Sequence, residues 1–274
     1  MIRHILAIAS VELKIALRNR WIAIAVAMMT LFAVALTVAG AGPTGALGVD
    51  LLTVSVASMT TLSVYLTPLL ALLMTFDAIA GEVERGSLGL VLTYPVTRGE
   101  LLAGKFLAHL SALGGAICIG FGAAGVIAAA LGGAGPDSFM ALARLIFSSV
   151  LLGAAFLACG YALSSLAGAA AGAAGLGAAL WLVVVVLYDF GLLGALVYDE
   201  DGVFARTLFP WLLTLNPADA LRLWNLGGSG EVALVSGMMG AADALPDWAA
   251  PASLMLWPII ALGLARAAFG RVRP

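Results

Sequence analysis

Charge is what this sequence most lacks. Asp, Glu, Lys and Arg make up only 10% of the 274 residues, against about 25% in a soluble domain, and so small a share cannot clothe a globular surface. A water-soluble fold is thereby excluded. The net charge is −2, which offers no basic face to a phosphate backbone and argues against a nucleic-acid role. Cysteine is as sparse: Cys118 and Cys159 both fall inside apolar runs, where a thiol acts as a small hydrophobe. Soft ligands do not cluster either. A metal path needs Met, Cys, His or carboxylates converging in the bilayer, whereas Met28, Met29, Met59, Met74, Cys118 and Cys159 are scattered and read as apolar filler. No nucleophile–base pair and no metal-ligand set appears, which disfavours an intramembrane enzyme and gives this chain no metal or cofactor of its own.

What is present is apolar length. Hydrophobic residues make up 63% of the chain and the mean hydropathy is +1.11. A spanning helix needs roughly 20 mostly apolar residues, since each rises about 1.5 Å through a hydrocarbon core about 30 Å thick. Six segments qualify: Trp21 to Gly40, Leu51 to Phe76, Phe106 to Leu131, Ala143 to Leu166, Ala171 to Leu196 and Ala250 to Phe269. The expected fold is all-α, a polytopic membrane protein of six transmembrane helices forming one domain over residues 1–274. The run "LAGAAAGAAG", Leu166 to Gly175, blurs the boundary between the fourth and fifth spans. Cytoplasmic loops keep the excess of positive charge. With the N-terminus inside, Arg3, Lys14, Arg18, Arg20, Arg85, Arg98, Lys105, Arg266, Arg271 and Arg273 face the cytoplasm, and Arg144, Arg206 and Arg222 face outward. Six spans then put both termini in the cytoplasm.

Residues 1–20 precede the first span. Arg3, Ser10, Lys14 and Arg18 share one helical stripe, with Ile2, Ile5, Leu13 and Ala16 on other faces, as in an amphipathic elbow helix lying on the inner membrane surface with Trp21 at the interface. Glu12 interrupts that pattern. A cleavable signal peptide is the rival, because "VALTVAGAG" offers small residues at a cut site, but the long charged flank favours a retained helix.

Between the second and third spans lies "GEVERGSLGLVLTYPVTRGELLAGKF", Gly81 to Phe106. Gly99 to Lys105 fits the first seven positions of a phosphate-binding loop. The Ser or Thr that should follow is Phe106, and no strand precedes the run, so a helix entering the membrane is the better reading. Thr97 and Glu100 form a capping box for that helix. Lys105 is expected to snorkel toward the headgroups, and His109, one turn deeper, is either an interfacial histidine or a proton relay. Upstream, Gly86 and Ser87 break the chain, and "SLGLVLTY" gives about two helical turns before Pro95. So apolar a helix is expected to dock against something or to rest on headgroups.

The order of that loop resembles the first cytoplasmic loop of ABC type 2 export permeases. The resemblance places Glu82, Glu84, Arg85 and Gly86 on the family's acidic-basic-glycine signature, Pro95 and Arg98 on its proline and arginine, and Gly104 with Lys105 at the helix entry. It implies that Ser87, Leu88, Val91, Leu92 and Tyr94 belong to a coupling helix seated in a groove of a separate ATPase subunit, so that residues 77–105 form the coupling loop. ATP and Mg²⁺ would sit on that partner, and this chain would be a transporter subunit without an ATPase site. The runs "MIRHILAIASVELKIALRNRW" and "TFDAIAGEVERGSLGLVLTYPVTRGELLAGK" are similar to the branch of the family that assists maturation of the copper sites of nitrous oxide reductase. That likeness implies a cytoplasmic ATPase dimer, a second copy of the chain, a periplasmic β-helical protein and the bacterial inner membrane.

The outer segment, residues 197–249, carries Asp199, Glu200, Asp201, Asp219, Glu231, Asp243 and Asp247 against Arg206 and Arg222. Asn216, Pro217 and Asp219 make a helix start, so short helices capping the outer mouth are expected, either gating the path, docking a partner or merely sealing the bundle. Small residues crowd Gly120 to Gly125, Gly168 to Gly172 and Gly172 to Gly177, a spacing that suits close helix packing within the chain or between copies. Asp189, near the outer part of the fifth span, falls either within the hydrocarbon, where an acid is a functional suspect, or, with the span shifted by a few residues, in the interface. An ATP-independent transporter or channel would want broken helices and midplane charges, of which Pro68 and Asp189 are the only signs. A membrane anchor that relays ATPase motion without cargo needs the same joint as an exporter.

Overall fold

The computed structural model describes residues 2–18, 20–40, 50–199, 202–227 and 243–273. Among them every regular element is helical: α1 (Ile2–Arg18), α2 (Arg20–Gly40), α3 (Leu51–Thr75), α4 (Asp77–Glu84), α5 (Ser87–Val91), α6 (Arg98–Gly132), α7 (Pro136–Leu166), α8 (Ala170–Trp181), a π-helical segment (Leu182–Leu187), α9 (Tyr188–Val197), α10 (Val203–Thr207), α11 (Phe209–Leu215), α12 (Pro217–Leu226) and α13 (Ala249–Gly270). The stretches Leu51–Glu84, Arg98–Gly132, Pro136–Leu166, Ala170–Val197 and Ala249–Gly270 are long and apolar enough to cross a membrane. With the 21-residue α2 they make the expected multi-pass all-α protein. The side chain of Trp21, and all of Glu200, Asp201 and Glu231, lie outside the described residues.

Because the spans alternate in direction, the bundle has two ends. One, the foot, gathers α1, α4 and α5 with the start of α6 and the ends of α7 and α13. The other, the cap, gathers α10, α11 and α12. At the cap end Asp50 accepts from the Thr53 N–H at 2.7 Å to start α3 and also receives the Ser138 hydroxyl and the Gly135 N–H. Burial pushes this carboxyl up, yet those donors hold it below its ordinary value.

The core lies where α2, α3, α6 and α7 meet, around Met29, Met59, Phe121, Leu152 and Phe156. Water cannot drive helices together within the bilayer, so close van der Waals packing and short hydroxyl bonds must. α7 supplies both. Its Gly153 faces Thr67 and Leu113, and its Ser149 receives the Ser63 hydroxyl at 2.7 Å. Gly120 of α6 backs onto the Met29–Thr30 backbone and Gly125 onto Leu142 of α7, which absorbs these two glycines of the "GFGAAG" run into packing within the chain, while nothing lies within 4 Å of a Cβ built on Gly122.

The fifth span differs. Only 11% of its apolar window is buried, against 61% for α7. It starts at Ala170, after Ala169 in extended conformation, which fixes the boundary that the Gly/Ala run left open.

Helix α5 is shorter than its apolar run predicts, ending at Val91. The α-helical partner of the Val91 carbonyl would be the N–H of residue 95, which proline lacks. The Tyr94 N–H takes that carbonyl instead, at 3.3 Å, closing a tighter turn that stops the helix.

Candidate functional site

Helix α6 starts as its capping box predicts: the Thr97 hydroxyl accepts from the Glu100 N–H at 3.2 Å, and the Glu100 carboxylate accepts from the Thr97 N–H at 2.9 Å. Gly99 to Lys105 therefore forms the first turns of a helix, with no strand before it among the described residues.

Lys105 does not reach headgroups. Its side chain is 4% exposed, and its ammonium donates to Glu12 of α1 at 2.6 Å and to Glu82 of α4 at 2.7 Å. The reason is that α1 lies directly across this face of α6. A Cβ on Gly104 would come within 2.7 Å of the Ile8 Cβ and 3.1 Å of the Ile5 carbonyl, so only glycine admits α1 this closely. Ile8, Glu12 and Ala16 recur at four-residue intervals on the protein-facing stripe of α1. Glu12 is thus the group that meets Lys105 rather than a flaw in the amphipathic pattern. Removing one member of such a buried set leaves an uncompensated charge and costs about 3–5 kcal/mol. Deeper on α6, His109 Nδ1 shares a hydrogen bond with the fully buried Tyr161 hydroxyl.

Helix α4 is seated by α7. Ser164 accepts from the Ile79 N–H at 3.1 Å and the Ala80 N–H at 2.9 Å and donates to the Phe76 carbonyl at 2.7 Å, satisfying donors that a helix start leaves open. Arg85 pairs with Asp77 at 3.2 Å on the exposed surface. Gly86 then adopts a left-handed φ of 68°, a conformation that glycine takes without penalty. It turns the chain into α5, where Ser87 donates to the Glu82 carbonyl at 3.3 Å. Leu88 is fully buried with Val91 and Leu92 beside it, against Ile79, Leu101, Tyr161 and Phe269. On the opposite side Leu90 and Tyr94 stand 70% and 69% exposed, next to exposed Pro95.

The other loop charges reach different helices. Glu84 accepts the Ala170 N–H at 3.1 Å, at the start of α8. Arg98 donates to the Phe269 carbonyl at 2.8 Å and the Val272 carbonyl at 2.6 Å, and lies 5.7 Å over the Phe269 ring, at the end of α13. Cations are favoured there because the last carbonyls of a helix lack partners and carry its negative dipole end.

The structure therefore gathers Glu82, Glu84, Arg85, Gly86, Ser87, Leu88, Val91, Leu92, Tyr94, Pro95 and Arg98 into one compact foot, but on two faces. Leu88, Val91 and Leu92 pack inward, Glu82, Glu84 and Arg98 grip neighbouring helices, and Tyr94 and Pro95 face out. Sequence reasoning missed Leu90, Ser164 and the pairing of Lys105 with Glu12. The signal for that last pair was two charges of opposite sign, each alone on an apolar stripe.

Residues 6–272 match the family model for ABC-2 family transporter protein. The chain is 43% identical over 268 residues to the "Probable ABC transporter permease protein NosY" of Pseudomonas aeruginosa, covering 96% of this chain and 97% of that protein. It is 42% identical over 269 residues, with the same coverage, to the protein of that name from Stutzerimonas stutzeri.

Proposed function

The chain belongs to the ABC-2 transporter family and is a permease subunit, and from that premise we propose that its foot is the joint through which a separate ATPase dimer, holding ATP and Mg²⁺, moves the membrane helices. The observation that carries this reading is the division of labour in residues 77–105. An apolar tip, Leu90 and Tyr94, stands out from a loop whose Glu82, Glu84 and Arg98 are bonded to α6, α8 and α13. A push on α5 is thereby delivered to several helices at once. Closure of the ATPase dimer would favour one packing of the spans over another, a population shift limited by the difference in binding energy between the two. In this reading the foot, the elbow helix and both termini lie in the cytoplasm and the spans cross the bacterial inner membrane.

The second copy of the chain is proposed to pack on the fifth span. Ala171, Gly175 and Ala179 are exposed at four-residue spacing, and nothing lies within 4 Å of a Cβ built on Gly175, which suits the close approach of another helix. The resemblance to the nitrous oxide reductase maturation branch, together with the likeness to two proteins named as probable NosY permeases, supports the finer proposal that the assembly exports material, or does conformational work, for copper- and sulfur-site maturation of nitrous oxide reductase. The cap would then face a periplasmic β-helical partner.

Reconstitution with the partner ATPase tests the joint. Glu84→Ala and Arg85→Ala are expected to keep assembly and ATP turnover while losing the linked transport or maturation. Undiminished coupling in both variants would remove the proposed joint.

A further inference from the structure

The cap grips the fifth span at one level. As the chain runs along α11 its partners shift toward the middle of the bundle: the Leu212 carbonyl accepts from Tyr188, and the Thr214 and Leu215 carbonyls accept from Ser253 and Trp257. The turn at Asn216 is the deepest point, and α12 climbs back. There the fifth span is π-helical. The Tyr188 N–H donates to the Val183 carbonyl, five residues back, so the Val184 carbonyl loses its usual α-helical donor. Asn216 Nδ2 donates to that carbonyl at 2.7 Å and to Asp219 at 2.9 Å, while Asn216 Oδ1 caps α12 through the Ala218 N–H at 3.0 Å. One turn along α12, Arg222 bonds Asp189 of α9 at 2.9 Å and Asp219 at 2.8 Å, with its guanidinium 6.0 Å over the Tyr65 ring of α3.

Within a bilayer no water replaces a broken bond, so each polar group must find its partner in the protein. Parting the fifth span from α12 would take these donors from the Val184 carbonyl and from Asp189 and leave Asn216 and Arg222 with only their bonds within α12 and its cap. Bending within Leu182–Leu187 strands far less, because the α-ladder is already interrupted there.

We infer that Asn216 and Arg222 latch the cap to the fifth span, so that α9, α11 and α12 travel as one body hinged at Leu182–Leu187. This rests on the ATP-driven reading above and adds to it the element that carries motion to the cap. The fifth span is built to carry it, since Glu84 holds its foot end, the latch holds its cap end, and its own chain covers little of the length between.

Spin-label distances in the complex with the partner ATPase test the latch. Cys118 and Cys159 are replaced, labels are placed on the exposed positions Leu193 of α9, Leu208 beside α11 and Leu176 of α8, and labelled chains are diluted with unlabelled ones. Between nucleotide-free and vanadate-trapped states, the 176–208 distance is expected to shift while the 193–208 distance stays fixed. In Asn216→Ala/Arg222→Lys, which keeps the positive charge, the 193–208 distance is expected to shift or broaden on trapping. A wild-type 193–208 distance that moves on trapping overturns the latch, as does one that stays fixed in the double variant. If neither distance responds to trapping in the wild type, the ATP-driven reading falls and takes the latch with it.

Discussion

Each end of the bundle sets one cation between two carboxylates, and the two sets are built differently. At the foot Lys105 joins Glu12 and Glu82, so three separate elements, α6, α1 and α4, meet on one ammonium. At the cap Arg222 joins Asp189 and Asp219, but Asp219 lies on the same helix as Arg222 and three residues before it, so only α12 and α9 are tied. The chemistry matches the geometry. An ammonium is a compact charge whose three donors turn to meet partners from any side, while the rigid planar guanidinium turns one terminal nitrogen, Nη1, to both carboxylates and lies over Tyr65. A hub that gathers helices needs the former, and a clamp between two bodies needs the latter.

Breaking the hub is expected to cost most. Lys105→Met leaves Glu12 and Glu82 facing each other and is predicted to lower stability by about 3–5 kcal/mol, read as a lower thermal midpoint in nanodiscs. The triple change Glu12→Leu/Glu82→Leu/Lys105→Met is predicted to recover most of that loss, since apolar groups of similar volume commonly replace a buried ion set without penalty. No recovery would mean that the set does more than hold α1 to α6. Next in size, Arg98→Ala removes charge-assisted bonds to the end of α13 and is predicted to cost about 1.5–3 kcal/mol, with faster amide exchange confined to the last turn of that helix. At the cap, Asn216→Ala is predicted to cost about 0.5–2 kcal/mol, the range for losing a helix cap. A loss equal to that of Lys105→Met would erase the distinction between hub and clamp. The smallest effect is expected from Arg85→Ala, whose pair with Asp77 is exposed. Its stability is predicted to change by less than about 1 kcal/mol, and less still at high salt, so any defect in its ATP coupling would come from lost contact with the partner and not from unfolding.

Much of this architecture is legible in the sequence, because span length and hydropathy are set by the bilayer and not by neighbours. The capping box at Thr97 and Glu100 is legible for a similar reason: all its groups lie within four residues. The Lys105 pairings are not, since Glu12 and Glu82 stand 93 and 23 residues away. Hydropathy says how deep a residue sits along its own helix and says nothing of which helix crosses in front of it. Lys105 therefore reads as a snorkelling lysine and Glu12 as a blemish until α1 is seen folded over Gly104. The cap repeats the pattern. Asp189 stands out as an acid in apolar surroundings, while its partner Arg222 lies 33 residues on, and Asn216 shows in the sequence only its capping half.

The central claim is that the foot of the bundle meets a motor built from another chain. Photo-crosslinking residues placed singly at Leu90 and Tyr94 in cells producing the whole transporter test it most directly, with Phe190 on the exposed face of the fifth span as control. The account predicts adducts to the ATPase subunit from both foot positions and none from the control. Absence of ATPase adducts at both, or labelling of those positions by a membrane-impermeant reagent added from the periplasmic side, would contradict it.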